Sequence, residues 1–205
     1  MLSIVIQAGG ESSRMGQDKA LMPFLGQPLI QRVLARVEKL GDEILVTTNH
    51  PDDYRFLGLR LVPDIIPGRG ALGGLYTALS AASEPLVAVV ACDMPFVSAS
   101  LLAAERDLLS DPGLDAAIPK TGHGTEPFHA TYRRSTCLPA VEWAIEAEKW
   151  RADAWYARAN LHFLSPEEVR RHDPEEMAFW NVNTPDELEK AERVASQQDG
   201  PAPIN

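Results

Sequence analysis

The stretch PLVAVVACD (Pro85–Asp93) constrains the fold more than any other part of the chain. It is almost continuously apolar and lacks the alternation of a strand with one wet face. As a strand it must be covered on both sides, as happens in the middle of a parallel sheet. It ends on a carboxylate, Asp93, and Pro95 then holds Met94 extended and turns the chain. An acid at the C-terminal end of a buried strand faces the crevice where open α/β sheets bind ligands.

The neighbouring segments fit such a sheet. LSIVI (Leu2–Ile6) reads as a second buried strand, ended by Gly9-Gly10. PLIQRVLARVEKLG puts Leu29, Ile30, Val33, Leu34, Val37 and Leu40 on one helical face, with Gly41 as its stop. Strands are expected at Glu43–Asn49, Leu59–Asp64 and Asp115–Lys120, with helices at Gly73–Ala82 and from Ser98 to about Leu109. This alternation predicts a layered α/β fold with a mostly parallel sheet. The second half is less regular. Pro127–Tyr132 and Leu161–Ser165 are strand candidates, and STCLPAVEWAIEAEKW is largely helical. Ser165-Pro166-Glu167-Glu168 is a helix-start signature, and Thr184-Pro185-Asp186-Glu187 is a capping box with proline at the first helical position. Without a repeat or linker, residues 1–195 are expected to form one domain, with a frayed polar tail over 196–205.

Composition narrows the partners. A chain of 205 residues with 45% hydrophobic content can bury one sizeable core. Its net charge of -10 argues against a non-specific nucleic-acid binder, which needs a basic face. A small anion can still be held by a few local cations and backbone N–H groups. Cys92 and Cys137 form no CxxC pair, so neither a disulfide framework nor a cysteine zinc site is expected. The N-terminus has no basic leader, and no apolar run approaches the roughly 20 residues that span a bilayer. A soluble cytoplasmic protein is the default expectation.

Within this acidic chain, IQAGGESSRMGQDKAL places Arg14 and Lys19 in a glycine loop after the first strand. Glycines let the backbone approach an anion, and the two cations can bond phosphate oxygens. The loop lacks the Gly-Lys-Ser/Thr ending of a P-loop. Taken alone it reads equally well as a surface turn with solvated charges. A competing motif is GRGALG (Gly68, Gly70, Gly73), with Asp93 twenty residues further on, as in a dinucleotide-binding fingerprint. Pro63 and Pro67 interrupt the strand that this reading needs. A lone Asp93 suits a magnesium–nucleotide site, since magnesium takes one or two carboxylates plus phosphates and waters. The alternative is a turn cap.

AGGESSRMGQDKAL, VPD, GALGGL, CDMPF, EPFHATYRRS and NVNTPDEL, in this order, resemble the molybdenum cofactor guanylyltransferases. These form the MobA family, nucleotidyltransferases related to sugar-nucleotide pyrophosphorylases. The resemblance runs from Ile4 to about Leu188. It implies a three-layer α/β/α Rossmann-like fold. It also implies transfer of GMP from Mg·GTP to the terminal phosphate of molybdopterin bearing molybdenum, with release of pyrophosphate. Carried over by position, Ala8, Gly9 and Gly10 contact guanine and triphosphate, and Arg14 and Lys19 grip the phosphates. Thr47 or Asn49, and Asp64, lie near the nucleoside. Asp93 holds Mg2+, and Asn181 and Asn183 stand on the second-substrate side. The implied partners are GTP, the molybdopterin substrate, and proteins that transiently deliver or accept the cofactor, with no nucleic acid and no membrane. The chain departs from the family pattern in three places: Gln7 replaces Leu, Thr47 replaces an Asn whose nearest match is Asn49, and GALGGL replaces GPLAGL.

The rival readings are a cytidylyltransferase for the same cofactor, a sugar-phosphate nucleotidyltransferase, an NAD-linked oxidoreductase built on GRGALG, and a nucleotide-binding protein without catalysis. Guanylyl members carry AGG in the first loop, as here, where cytidylyl relatives tend to carry AAG. The five histidines show no ligand spacing. Trp143, Trp150 and Trp155 read as packing residues, and Arg133-Arg134 as a solvated strand end. Glu126 and His129 border the second substrate or form a structural turn.

Overall fold

The computed structural model describes residues 1–8 and 18–198. Its elements run in the order β1 (Leu2–Gln7), β2 (Pro23–Phe24), β3 (Gln27–Pro28), α1 (Leu29–Val37), β4 (Glu43–Thr47), α2 (Pro51–Tyr54), β5 (Arg60–Val62), α3 (Gly70–Ala81) and β6 (Leu86–Ala91). They continue with α4 (Ala99–Leu108), β7 (Ala116–Thr121), β8 (Gly124–Thr125), β9 (His129–Arg133), α5 (Arg134–Glu146), β10 (Leu161–Leu164), α6 (Pro166–Arg170) and α7 (Pro185–Gln198).

The main sheet has the order β10-β7-β9-β6-β1-β4-β5, with β8 paired to β7. β1 lies between β6 and β4 and is parallel to both; Ile4 stands opposite Ala88 on one side and Ile44 on the other. The chain leaves β1 towards β4 and β5, then returns to place β6 on the opposite side. The carboxyl ends of β1 and β6 therefore flank the topological switch point, where a doubly wound sheet opens a ligand crevice. Along this path β9 is reversed, antiparallel to both β6 and β7. Its approach explains why. After the tight β7–β8 hairpin only a short turn precedes it, and parallel pairing would need a long crossover.

Alternate residues face two helical layers. Val5, Leu45, Val87, Val89 and Tyr132 pack against α3 and α5. Ile4, Ile6, Val46, Ala88 and Val90 pack under α1 and α4. Both faces of β6 are thus covered, as its unbroken apolar run required. Each fully buried aliphatic side chain here contributes roughly 2 kcal/mol of transfer free energy.

The last helix serves the site directly. Leu188, Ala191 and Ala195 of α7 pack onto Phe24, Leu29 and Phe96, and Glu192 accepts the Leu25 N–H at 2.7 Å. That clasp fastens the segment before α7 to the hairpin that follows the glycine loop. The β2–β3 hairpin, α2 and β8 were not expected from sequence. α3 begins at Gly70 rather than Gly73, and α1 ends at Val37, before Gly41. Gly41 is needed for space, because a Cβ there would lie 2.9 Å from Cγ1 of Ile4. Residues 196–198 belong to α7, and 199–205 lie outside the described residues.

Candidate active site

Of the expected site residues that are described, Ala8, Lys19, Thr47, Asn49, Asp64 and Asp93 follow or end strands at the carboxyl side of the sheet. The Ala8 N–H donates to Thr47 O at 2.9 Å, and the Cys92 N–H donates to Gln7 O at 3.0 Å. These bonds extend the β1 ladders past the strand ends and bring the start of the glycine loop beside Asp93. Gly9, Gly10 and Arg14 lie outside the described residues. Where the description resumes, Asp18 anchors the chain. Its carboxylate accepts the Ala20 N–H at 3.1 Å and the buried Tyr54 hydroxyl at 2.6 Å. Lys19 is thereby held at the mouth, where its Nζ donates to Asn183 Oδ1 at 2.8 Å. Residues 164 positions apart are joined across the crevice.

Asp93 sits just beyond β6, and its carbonyl accepts the Val182 N–H at 2.9 Å. Burial pushes its carboxyl above the usual range, and the Lys19 ammonium partly opposes that. Such a carboxylate gains when a cation arrives. Burial also raises the Cys92 thiol well above its ordinary value, and the negative Asp93 and Asp18 add to this. That disfavours the Cys92 thiolate. At the β4–β5 edge, Asn49 and Asp64 hold each other: Asn49 Nδ2 donates to Asp64 Oδ2 at 2.8 Å, and the Asp64 N–H donates to Asn49 Oδ1 at 3.0 Å. Thr47, opposite Gln7, is buried. Asn181 turns back to its own loop, donating to Phe179 O at 3.2 Å, so of the two NVNTP asparagines Asn183 is the one that meets Lys19.

Three further residues shape the site in roles the sequence did not announce. Asp18 and Tyr54 fix the end of the glycine loop, and the cap-like Asp18-Lys19-Ala20 was the available signal for the first. Tyr54 lies in a four-residue helix too short to leave a periodic pattern. Gln7 lays its carboxamide against α3, where a Cβ on Gly74 would come within 2.9 Å of Nε2. That Nε2 is buried and unpartnered among the described residues. The GRGALG alternative fails on geometry. β5 ends at Val62, so Pro63–Arg69 separates it from α3, whereas the fingerprint needs a strand running straight into the glycine turn.

Displacement at phosphorus demands positioning and charge neutralisation rather than a strong base. A switch-point crevice with a desolvated carboxylate and a tethered lysine is built for that, and fold and crevice together define a nucleotidyltransferase. Within that class the chain belongs to the family of MobA-like NTP transferase domains, which matches residues 4–161. It is 37% identical over 191 residues to a Pelotomaculum thermopropionicum protein named "Probable molybdenum cofactor guanylyltransferase", covering 93% of this chain and 92% of that one. It is 33% identical over 189 residues to the molybdenum cofactor guanylyltransferase of Desulfosudis oleivorans, covering 92% and 93%. Among solved structures, it superposes on molybdopterin-guanine dinucleotide biosynthesis protein A from Archaeoglobus fulgidus with a TM-score of 0.81. That pair shares 28% identity over 95% of this chain and 99% of the other.

Proposed function

We propose that this chain transfers GMP from GTP to the phosphate of molybdopterin bearing molybdenum, giving the guanine dinucleotide cofactor and pyrophosphate. The names of its relatives support this reading. The observation that carries it is the Lys19–Asn183 bond beside Asp93, which draws Lys19 and the NVNTP segment to one crevice. Ala8, Gly9 and Gly10 present backbone groups to the base and triphosphate. Thr47, Asn49 and Asp64 line the nucleoside side. Arg14 and Lys19 neutralise the phosphates and the departing pyrophosphate. Asn181 and Asn183 stand towards the acceptor.

Asp93 suits magnesium. Its carboxylate is desolvated and gains from a divalent cation. Among the described residues no group of three or more His, Cys, Asp or Glu gathers into a cage, which fits an ion held through one carboxylate, substrate phosphates and water. When bound, magnesium supplies charge neutralisation at the triphosphate. The acceptor phosphate is already anionic at neutral pH, so no side chain need take its proton. Among the described residues no helix is long and apolar enough to cross a membrane. We place the protein in the cytoplasm, in transient contact with proteins that bring or take the labile cofactor, and not on nucleic acid.

Guanine offers an N1–H and an amino group side by side, and backbone carbonyls in a glycine loop can accept both. Cytosine would leave such acceptors unpaired. Equal GTP and CTP in competition, with molybdopterin as acceptor, should give a product carrying mainly guanosine. A mainly cytidine product would overturn the base assignment.

A further inference from the structure

Beside the crevice lies a cavity of about 550 Å³, walled by the β7–β8 hairpin, α6 and the loop before Val182. The roles proposed above for the nucleotide and magnesium do not use it. Its size falls among small-molecule sites, typically about 300–1,000 Å³. Two backbone bonds hitch its walls to the β6 terminus. Ala91 N donates to Phe128 O at 3.0 Å, two residues after Glu126; Val182 N donates to Asp93 O at 2.9 Å, two residues after Trp180.

The lining is selective. Phe179 and Trp180 form an aromatic wall, with Trp180 braced on Phe96 at 5.4 Å and Phe179 edge-on to His129 at 5.3 Å. Three carboxylates also line the cavity, but two are engaged by surface partners. Glu175 accepts from Gln198 at 2.9 Å, and Glu176 pairs with Arg170 at 2.9 Å. Glu126 differs. Its side chain takes one neutral hydroxyl, Thr121 Oγ1 at 3.0 Å, and meets no cation among the described residues. Its backbone is pinned by Pro119 O at 2.9 Å and His129 N at 3.1 Å, so the carboxylate is pre-positioned with acceptor capacity to spare. Lys120 adds a cation to the same cavity.

We propose that this cavity holds the pterin ring of the acceptor, with Glu126 accepting from the ring's N3–H and 2-amino group and Trp180 stacking on its face. The inference rests on the molybdopterin reading above. The flat aminopyrimidinone end of the pterin, which carries both donors, suits an aromatic wall. Its adjacent pair of donors needs a carboxylate whose two oxygens each keep a free lone pair, which Glu126 has even with Thr121 on Oε1. The ring would then sit beside the crevice, with the phosphate arm directed at Asp93 and Lys19. Guanine carries the same donor pair, so the test must separate the two bases.

6-Hydroxymethylpterin, a fluorescent probe without the dithiolene arm, is titrated into the intact protein with and without saturating GTP. Wild type should bind it in both conditions and should bind lumazine, which lacks the 2-amino donor, at least tenfold more weakly. Glu126→Gln should weaken the pterin at least tenfold. Trp180→Leu should weaken it several-fold, and Trp180→Phe should restore much of the loss. GTP affinity and melting temperature of Glu126→Gln should match wild type. Displacement of the pterin by GTP, or pterin affinity indifferent to both Glu126→Gln and Trp180→Leu, would overturn the assignment. Steady-state turnover separates this failure from failure of the underlying reading. If Glu126→Gln uses molybdopterin with an unchanged KM, the cavity assignment alone is wrong. If wild type neither binds pterin nor releases pyrophosphate with molybdopterin, the acceptor itself is wrong.

Discussion

The strands β5, β4, β1 and β6 and the strands β9, β7 and β10 build two halves of one sheet with different chemistry. In the first, all strands run parallel, the buried faces are mainly aliphatic, and the described candidates Ala8, Thr47, Asn49, Asp64 and Asp93 follow or end the strands at the carboxyl rim. In the second, β9 is reversed and a fully buried polar network fastens it to α4. The Ser98 N–H donates to His129 Nε2 at 3.2 Å, so that nitrogen is an acceptor. His129 Nδ1 then faces Glu105 Oε1 at 3.2 Å, and Thr131 donates to Glu105 Oε2 at 3.0 Å. Arg133 and Arg134, which read as a solvated strand end, instead donate to carbonyls of Leu114, Leu109 and Leu79. Polar groups placed at a rim can meet a ligand; polar groups sealed under a helix can only hold the fold. GTP binding and the buried contribution to stability should therefore separate along the sheet.

The largest test of that separation is Trp155. It is fully buried and packs on Tyr132 at 5.9 Å and Tyr156 at 5.2 Å in the second half. Trp155→Ala should cost about 3–5 kcal/mol in urea unfolding, while the folded fraction binds GTP as wild type does. Lost GTP affinity in folded protein would break the division. Asp93→Asn is the converse and ranks next. The fold should persist, because a desolvated charge is replaced by a neutral isostere. Single-turnover rate should fall about a hundredfold, or about 2.7 kcal/mol of transition-state stabilisation. Near-normal turnover would remove Asp93 from the reaction.

Legibility followed the same division. The apolar runs of β1 and β6 and the amphipathic face of α1 follow from single-residue patterns, because each repeats its burial over several positions. Asp93 was readable because it terminates such a run. Tyr54 and Gln7 were not, because their roles arise from partners remote in sequence: Asp18 for the hydroxyl, Gly74 for the carboxamide. The reversal of β9 was equally hidden. PFHATY has the same strand character in either direction, and only the short connection from β8 decides it. The tryptophans read as packing residues add a second lesson. Trp155 lies in the core and Trp143 packs against it, but Trp143 also lies under Arg158 at 3.7 Å and Trp150 under Arg69 at 4.3 Å, cation–π contacts between residues 15 and 81 positions apart that no local spacing announces.

The smallest effect sharpens the comparison through the sign of its pH dependence. In the capping box of α6, Glu168 Oε2 accepts the Ser165 N–H and hydroxyl at 2.7 Å each, and Oε1 meets His162 Nε2 at 3.0 Å. The Ser165 N–H, then its hydroxyl, pull the Glu168 carboxyl down to about 2, with His162 adding to them and burial opposing. A depressed carboxyl contributes stability that is present above its ordinary value near 4.5 and lost as pH falls towards 2. The side chain is 34% exposed, so solvent screens much of that shift. Glu168→Gln should therefore cost only about 1 kcal/mol at neutral pH, the usual scale of a cap. That cost should vanish by about pH 2–3, since the glutamine can still accept from Ser165 while lacking the charge. Glu105 should behave oppositely. Burial pushes its carboxyl up, against the hydrogen bonds from His129 and Thr131. Its contribution is therefore complete below the ordinary carboxylate range and is lost as pH climbs through the raised value. Urea unfolding of wild type, Glu168→Gln and Glu105→Gln across pH 3–8 reads both slopes. Slopes of the same sign would mean that the buried network carries its charge as comfortably as the exposed cap, and the contrast between rim and interior would fail.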